Sequence, residues 1–481
     1  MNSERAPEKK PVTAGFNLVG HLTTRMGLGR AARMTLETIE SNQWPVSIVD
    51  VHFSGIERVP LPSTAGVGDI RDLQYSATLL HMNPEQVVDG LLVWHPELLA
   101  DLSKRYLAAV PYWELPALPE YWIHTLRGMD EVLAPSHFIE ANIRAALGQQ
   151  LISPKVSYYM QAVQPPEGVR PERERWFRAR ANTTVFLASF DVVSDIERKN
   201  PHAVVDAFCA AAEHRDDLTL ALKIGHAEAA EAGSAYQRLM ERVSSDPRVV
   251  LIGECLSDRG MWSLLASSDA YISLHRAEGL GLGLMESMAL GTPVIGTNWS
   301  GNTDFMGEGD SILVPYQLVP VAAAFVPLYI ELNGSTVWAE PDWRYAARAM
   351  RELADSSDLR AQLGRAARES AQKRWRDYLR ADSLRAIMES STTADLASVA
   401  RHDRLARLEA MLIARRRASE RGRRRSMPPF ERARRAAVRT LRAVGLKPPA
   451  PESEVEPGQL EIVNPYDVAS SSGPTEQEEH Q

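Results

Sequence analysis

The sequence predicts two consecutive α/β domains, each a doubly wound, mainly parallel sheet covered by helices on both faces, followed by a helical C-terminal extension. Three observations lead there. The chain has 481 residues, too many for one core, since single domains stop growing near ~250–300 residues. Short apolar runs alternate with helix-like segments, and the alternation stops and restarts once, at a charged stretch. A strand, a glycine loop and a helix open the first half, and a similar glycine-laced turn recurs in the second.

In chain order, residues 1–12 are polar and charged, without the apolar core of a signal peptide, and read as a disordered N-terminus. Phe16 to Val19 is a first buried strand, leading through Gly20, Gly27 and Gly29 into a helix over Ala31 to Ile39. Val46 to Val51, Ala77 to His81, Leu91 to Trp94, Ala108 to Trp113 and Glu131 to Ala134 are expected strands of the same domain, residues 13–180. Pro165 to Ala181 is charged and reads as a linker. The second domain, 181–390, then repeats the pattern. Thr184 to Ser189, Leu218 to Ile224, Val249 to Gly253, Ala270 to Leu274 and Pro293 to Thr297 are its strands. Pro201 begins a helix running to Ala212, because proline suits a first turn. A helical region from Asp342 to Met388 is expected to pack back across both domains.

The formal net charge of -8 hides a division. Arg401 to Lys447 holds sixteen Lys and Arg against four acids, a local net of +12. From Pro451 onward there are eight acids and no Lys or Arg. Residues 1–400 therefore carry -12. Residues 391–447 are expected to form a basic helical extension, and 448–481, rich in Glu, Ser and Pro, a disordered acidic tail. From Phe430 to Val444 apolar residues recur at helical spacing with arginines on the other faces. That pattern suits an anionic membrane surface, a partner protein or plain solvent. Two cysteines, Cys209 and Cys255, build no disulfide framework and no zinc spacing. No apolar run reaches the ~18 residues needed to span a bilayer. A cytoplasmic protein is expected, peripheral at the inner face of the plasma membrane if residues 401–447 bind there, with no nucleic acid as partner.

The segment richest in chemistry runs from Ser273 to Ile295 (SLHRAEGLGLGLMESMALGTPVI). A strand meets a polar turn, then a loop carrying Gly279, Gly281 and Gly283, then a helix. Glycines let backbone approach a ligand, and an open helix N-terminus suits phosphate. Glu278 lies at the loop and Glu286 inside the helix, so both can face one ligand. An isolated pair of glutamates at this spacing would be a helix cap and a surface residue. Here His275 and Arg276 precede it and Gly291 to Ile295 (GTPVI) follows.

These residues resemble the retaining family 4 glycosyltransferases, whose fold is GT-B: two Rossmann-like domains facing a cleft. Glu278 and Glu286 match the family's E-x7-E, and Gly291 to Ile295 its following strand. The resemblance spans about residues 14 to 390. It is closest to bacterial surface-polysaccharide mannosyl- and rhamnosyltransferases, through Tyr112 to Pro116 (YWELP), Ala134 to Phe138 (APSHF), Arg198 to Pro201 (RKNP), Gly301 to Met306 (GNTDFM) and Trp338 to Asp342 (WAEPD).

The resemblance implies a nucleotide-diphosphate sugar as donor substrate, no cofactor, and a glycan or lipid-linked acceptor. Glu278 would contact the sugar hydroxyls and Glu286 the ribose. Lys199, assisted by Arg198, would neutralise the leaving diphosphate; the plain alternative is a solvated helix start. Gly279 and Gly281 would border the phosphates, with His275 and Arg276 beside them. Gly27 and Gly29 match the N-terminal loop near donor and acceptor, or form an ordinary turn. His81, Glu114 and Asn302 would line the acceptor side or the cleft. The chain departs from the family where a glycine–arginine pair usually precedes the lysine, since Phe190-Asp191 stands there. Trp113-Glu114 replaces a usual His-Glu. No Asp-x-Asp occurs, so a metal-bridged diphosphate lacks its usual ligands. Two other readings remain open: a nucleotide-sugar 2-epimerase of the same fold, and a non-catalytic glycan-binding or scaffold module.

Overall fold

The computed structural model describes residues 13–394 apart from 54–57, 62, 64–66, 69–72, 93–97, 149–152, 227–233 and 322–335, together with 402–403, 406, 408–410, 413 and 461–462. Six parallel strands form the first sheet: β1 (Thr13–Gly20), β2 (Val46–Asp50), β3 (Tyr75–His81), β4 (Tyr106–Ala109), β5 (Glu131–Ala134) and β6 (Lys155–Tyr158). Their spatial order is β2-β1-β3-β4-β5-β6. The second sheet holds β7 (Thr184–Asp191), β8 (Leu218–Gly225), β9 (Val249–Ile252), β10 (Ala270–Ser273), β11 (Val294–Thr297) and β12 (Ile312–Val314), ordered β9-β8-β7-β10-β11-β12. Both sheets are parallel throughout. In each, the order reverses beside the first strand, and a crevice opens outside the strands' carboxyl ends at that point.

The strands are fully buried runs such as Phe16–Gly20 and Val185–Ala188 because helices cover both faces. An antiparallel hairpin, β13 (Tyr316–Pro320) and β14 (Val337–Pro341), follows the second sheet. The helical region comprises Trp343–Asp355, Ser357–Leu379 and Asp382–Thr393. Its last helix does return to the first domain. Leu384 and Ile387 join the core containing Phe16 and Leu18, Ser391 bonds Ser76 at 2.7 Å, and the Tyr378 hydroxyl donates to Met34 O at 2.9 Å. Leu408 is buried against the first domain beside Gly128.

Several elements differ from the sequence expectation. Residues 86–92 form a π-helical segment in place of the start of the strand expected at Leu91 to Trp94, whose remainder lies outside the described residues. The strand expected to run to Trp113 ends at Ala109, since Pro111 has no N–H to extend the ladder. The charged stretch to Ala181 is not a plain linker: Arg173–Phe177 is helical and buries Trp176 and Phe177 in the second domain's core. Within the acidic tail, Glu461–Ile462 pair in parallel with His52–Phe53. Residues 1–12 and the basic positions from 414 to 447 lie outside the described residues. Among the described residues, no helix is long and apolar enough to cross a membrane.

Candidate active site

A cavity of about 540 Å³ opens between the domains at the carboxyl ends of both sheets. Its first-domain wall is Arg25 to Leu28, Arg30, Arg33, Asn83, Tyr112 and Glu114. The second domain supplies Ser189 to Asp191, Arg198, Lys199, His226, Ser273 and the loop and helix from Glu278 to Glu286. A larger hollow of about 880 Å³ lies elsewhere, between residues 163–171 and the Ser357–Leu379 helix. Only the smaller one sits at both switch points, where doubly wound sheets bind ligands.

The loop is built by short-range bonds. Glu278 N donates to Ser300 Oγ at 2.8 Å and Gly301 N to Glu278 O at 2.9 Å, so the turn after β11 shapes the turn after β10. Gly281 caps the Leu282–Leu290 helix at φ +93, a left-handed conformation that glycine adopts without strain. No side chain caps that terminus, and its first residues face the cavity, so its N–H groups are available to an anion. From the first domain, Ser136 Oγ donates to Gly279 O at 2.8 Å.

Glu278, Lys199 and Arg198 converge. Lys199 Nζ bonds Glu278 Oε1, and Arg198 Nη1 stands 3.6 Å from Glu278 Oε2. Burial alone would raise the Glu278 carboxyl, but Lys199, Arg198 and His275 outweigh it and hold it down to about 2. Arg198 is nearly fully buried. It also donates to Ala277 O at 2.9 Å and Ser194 O at 2.8 Å and lies 3.5 Å from Glu114 across the domain boundary. Those bonds make Arg198 a clamp on the loop, while Lys199 faces the cavity with one-fifth of its side chain exposed. Burial pushes the Glu114 carboxyl up, with Arg198 opposing.

Glu286 lies on the cavity side of its helix, 3.7 Å from Arg30 of the first domain. Burial pushes its carboxyl up to about 7 although Arg30 pulls it down. Arg30 was not singled out from sequence, nor were Ser300 or Asp258, which pairs with Arg33 at 3.4 Å. Each is an ordinary residue type in an unremarked position: Arg30 and Arg33 meet Glu286 and Asp258 across the domain boundary, whereas Ser300 meets Glu278 within the second domain.

Other expected residues stand behind the wall. Gly29 serves the turn: a Cβ there would meet Thr24 O at 2.1 Å and His21 O at 2.6 Å. Gly27, by contrast, lines the cavity with open space around it. Arg276 points away, bonded to Glu340 at 2.7 Å and Glu197 O at 2.7 Å and stacked over Trp338. Asn302 is fully buried and donates to Thr297 O at 2.9 Å. His81 and His275 are fully buried, and burial pushes them down to about 3 and about 4, so both are neutral at pH 7. Among the described residues, no group of three His, Cys, Asp or Glu side chains is arranged to hold a metal ion.

Residues 181–329 match the family model described as glycosyl transferases group 1. No curated protein matches the chain. Among solved structures, a glycosyltransferase from Rickettsia africae ESF-5 superposes with TM-score 0.54 at 15% identity, covering 78% of this chain and 98% of that one. Anabaena Alr3699/HepE, solved with UDP-glucose, gives 0.53 at 14% identity over 77% of this chain and all but 1% of its own. The fold is GT-B. The GT-B assignment follows from the two six-stranded sheets and these superpositions together. Against the pneumococcal O-GlcNAc transferase GtfA, at 14% identity and TM-score 0.45, the chain covers 66% of itself but spans only 57% of that protein.

Proposed function

We propose that the protein is a retaining, metal-independent glycosyltransferase. It moves a hexosyl or deoxyhexosyl unit from a nucleotide-diphosphate sugar to a glycan or lipid-linked acceptor in surface-polysaccharide synthesis. The observation that carries this reading is the Lys199–Glu278–Arg198 cluster beside an uncapped helix N-terminus, in a cleft walled by both domains. Glycosyl transfer develops positive charge on the sugar and negative charge on the departing diphosphate. The ionised Glu278 carboxylate faces the first need, and Lys199 with the helix N–H groups the second. Glu286 accepts hydrogen bonds from the ribose in either protonation state. The glycosyl transferases group 1 match and the UDP-glucose held by the Anabaena relative support a nucleotide-sugar donor. Retention and the polysaccharide role rest on the sequence resemblance, and the basic segment 401–447 would carry the enzyme to anionic lipid bearing its acceptor. The test is turnover of the purified variants Glu278→Ala and Lys199→Ala: each folds and each loses transfer strongly. Wild-type turnover in either variant removes the site assignment.

A further inference from the structure

Arg198 and Lys199 are carried on a single helical turn, Ile196–Lys199, flanked by two residues that do not line the cavity, Asp195 and Asn200. One turn is not stable by itself, because nucleating a helix fixes several dihedrals for one hydrogen bond. Its place must be set from outside. In front of it, Asp195 stands at φ +73, and its Oδ1 accepts from Glu197 N at 2.9 Å and Arg198 N at 3.3 Å. Behind it, Asn200 stands at φ +51 and its N–H donates to Ile196 O at 2.8 Å. The Asn200 side chain looks the other way, accepting from Ala203 N at 3.4 Å in the next helix. Pro201 follows, and the residue before a proline is kept out of the right-handed helical region, so the turn stops at Lys199.

Positive φ at two residues other than glycine is costly, and it persists where the surrounding structure over-determines it. Asp and Asn are the side chains that adopt it most readily, through local hydrogen bonds of the kind seen here. The turn between them is also tied to the site loop. Arg276 N donates to Arg198 O at 2.7 Å, and Arg198 Nη1 donates to Ala277 O at 2.9 Å. Ile196 packs on the second domain's core. From this frame the Lys199 ammonium extends into the cavity, where it bonds Glu278 Oε1. Its four-carbon stem is flexible, so the ammonium meets a phosphate at full strength only if the backbone at its base is fixed.

We propose that Asp195 and Asn200 are positioning residues for the donor's diphosphate: they touch no ligand and act by fixing the turn from which Lys199 reaches it. The proposal rests on the glycosyltransferase reading. It is tested with purified full-length protein by calorimetric titration of UDP, GDP and dTDP, and of the nucleoside matching whichever diphosphate binds. Asp195→Gly accepts the positive φ but removes the cap. It weakens the nucleoside diphosphate roughly tenfold, the scale of one charge-assisted contact, and leaves nucleoside affinity within about twofold. Asp195→Asn keeps an oxygen acceptor and stays within about threefold of wild type for both ligands. Asn200→Gly keeps the backbone and stays within about twofold, whereas Asn200→Ala disfavours it and weakens the diphosphate selectively. In a Lys199→Met background Asp195→Gly costs nothing further, because the group it positions is gone. Should Asp195→Gly fail to fold, the contrast between Asn200→Ala and Asn200→Gly decides alone. Wild-type diphosphate affinity in folded Asp195→Gly or Asn200→Ala overturns the proposal. So does an equal loss for nucleoside and diphosphate, or a loss that persists undiminished without Lys199. If the wild type binds none of the three diphosphates, the glycosyltransferase reading falls and this proposal with it.

Discussion

Replacing Lys199 by Met keeps most of the side chain's volume and removes its charge from Glu278. Holding the Glu278 carboxyl at about 2 rather than its ordinary 4.5 is equivalent to about 3 kcal/mol of preference for the charged form. Lys199 supplies the largest share of the lowering, with Arg198 and His275 behind it. The lysine is 21% exposed, so solvent screens part of the interaction, and a coupling of about 1–2 kcal/mol is expected. The assay is a double-mutant cycle of Lys199→Met and Glu278→Gln, read by urea unfolding at pH 7 and again near pH 3. The sign is fixed by the depressed pKa. Stability from the ionised Glu278 is fully present above its ordinary 4.5 and disappears as pH falls toward about 2. The coupling therefore shrinks at the acid end. Single-variant effects that add at pH 7 within about 0.3 kcal/mol would refute the ion-pair account.

Three further outcomes follow. Glu286 has its carboxyl raised to about 7 by burial, so wild-type stability falls as pH rises from 4.5 through 7 by about 3 kcal/mol. Glu286→Gln abolishes that slope, and parallel wild-type and variant curves between pH 5 and 8 would contradict it. Gly29→Ala, with Thr24 O in its way at 2.1 Å, lowers stability by at least roughly 1–3 kcal/mol. Gly27→Ala, whose nearest neighbour would be Leu282 Cδ1 at 4.0 Å, stays within about 0.5 kcal/mol of wild type; thermal melts separate the two.

Hydrophobic runs were the legible part of the chain. β5 begins and ends where the sequence places it, at Glu131 and Ala134, because Val132 to Ala134 is a short apolar run between polar residues. β6 was illegible: Lys155, Ser157 and Tyr158 interrupt the apolar signal, and its place at the sheet edge lets Lys155 stay exposed. Within the site, Glu278 and Glu286 could be read because glycines and a helix start surround them, and Lys199 through the resemblance carried by Arg198 to Pro201. His275, Arg276 and Asn302 shared those motifs yet face inward or away. Their spacing along the chain does not say on which side of a strand end they emerge. Arg30 and His226 carried no motif at all. Their partners, Glu286 and Asp191, lie 256 and 35 positions away, and only the packed sheets bring them together.

The central claim is transfer of a sugar from a nucleotide diphosphate in the cleft between Lys199 and Glu286. Its most direct test follows UDP-, GDP- and dTDP-hexoses and deoxyhexoses by proton NMR with purified protein and a glycan or lipid-linked acceptor mixture, reading diphosphate release and the anomeric configuration of the new bond. The account predicts that one donor is consumed, that its nucleoside diphosphate is released, and that the sugar's configuration is retained. A donor epimerised at C2 without release, an inverted product, or no turnover of any donor by folded protein would contradict it.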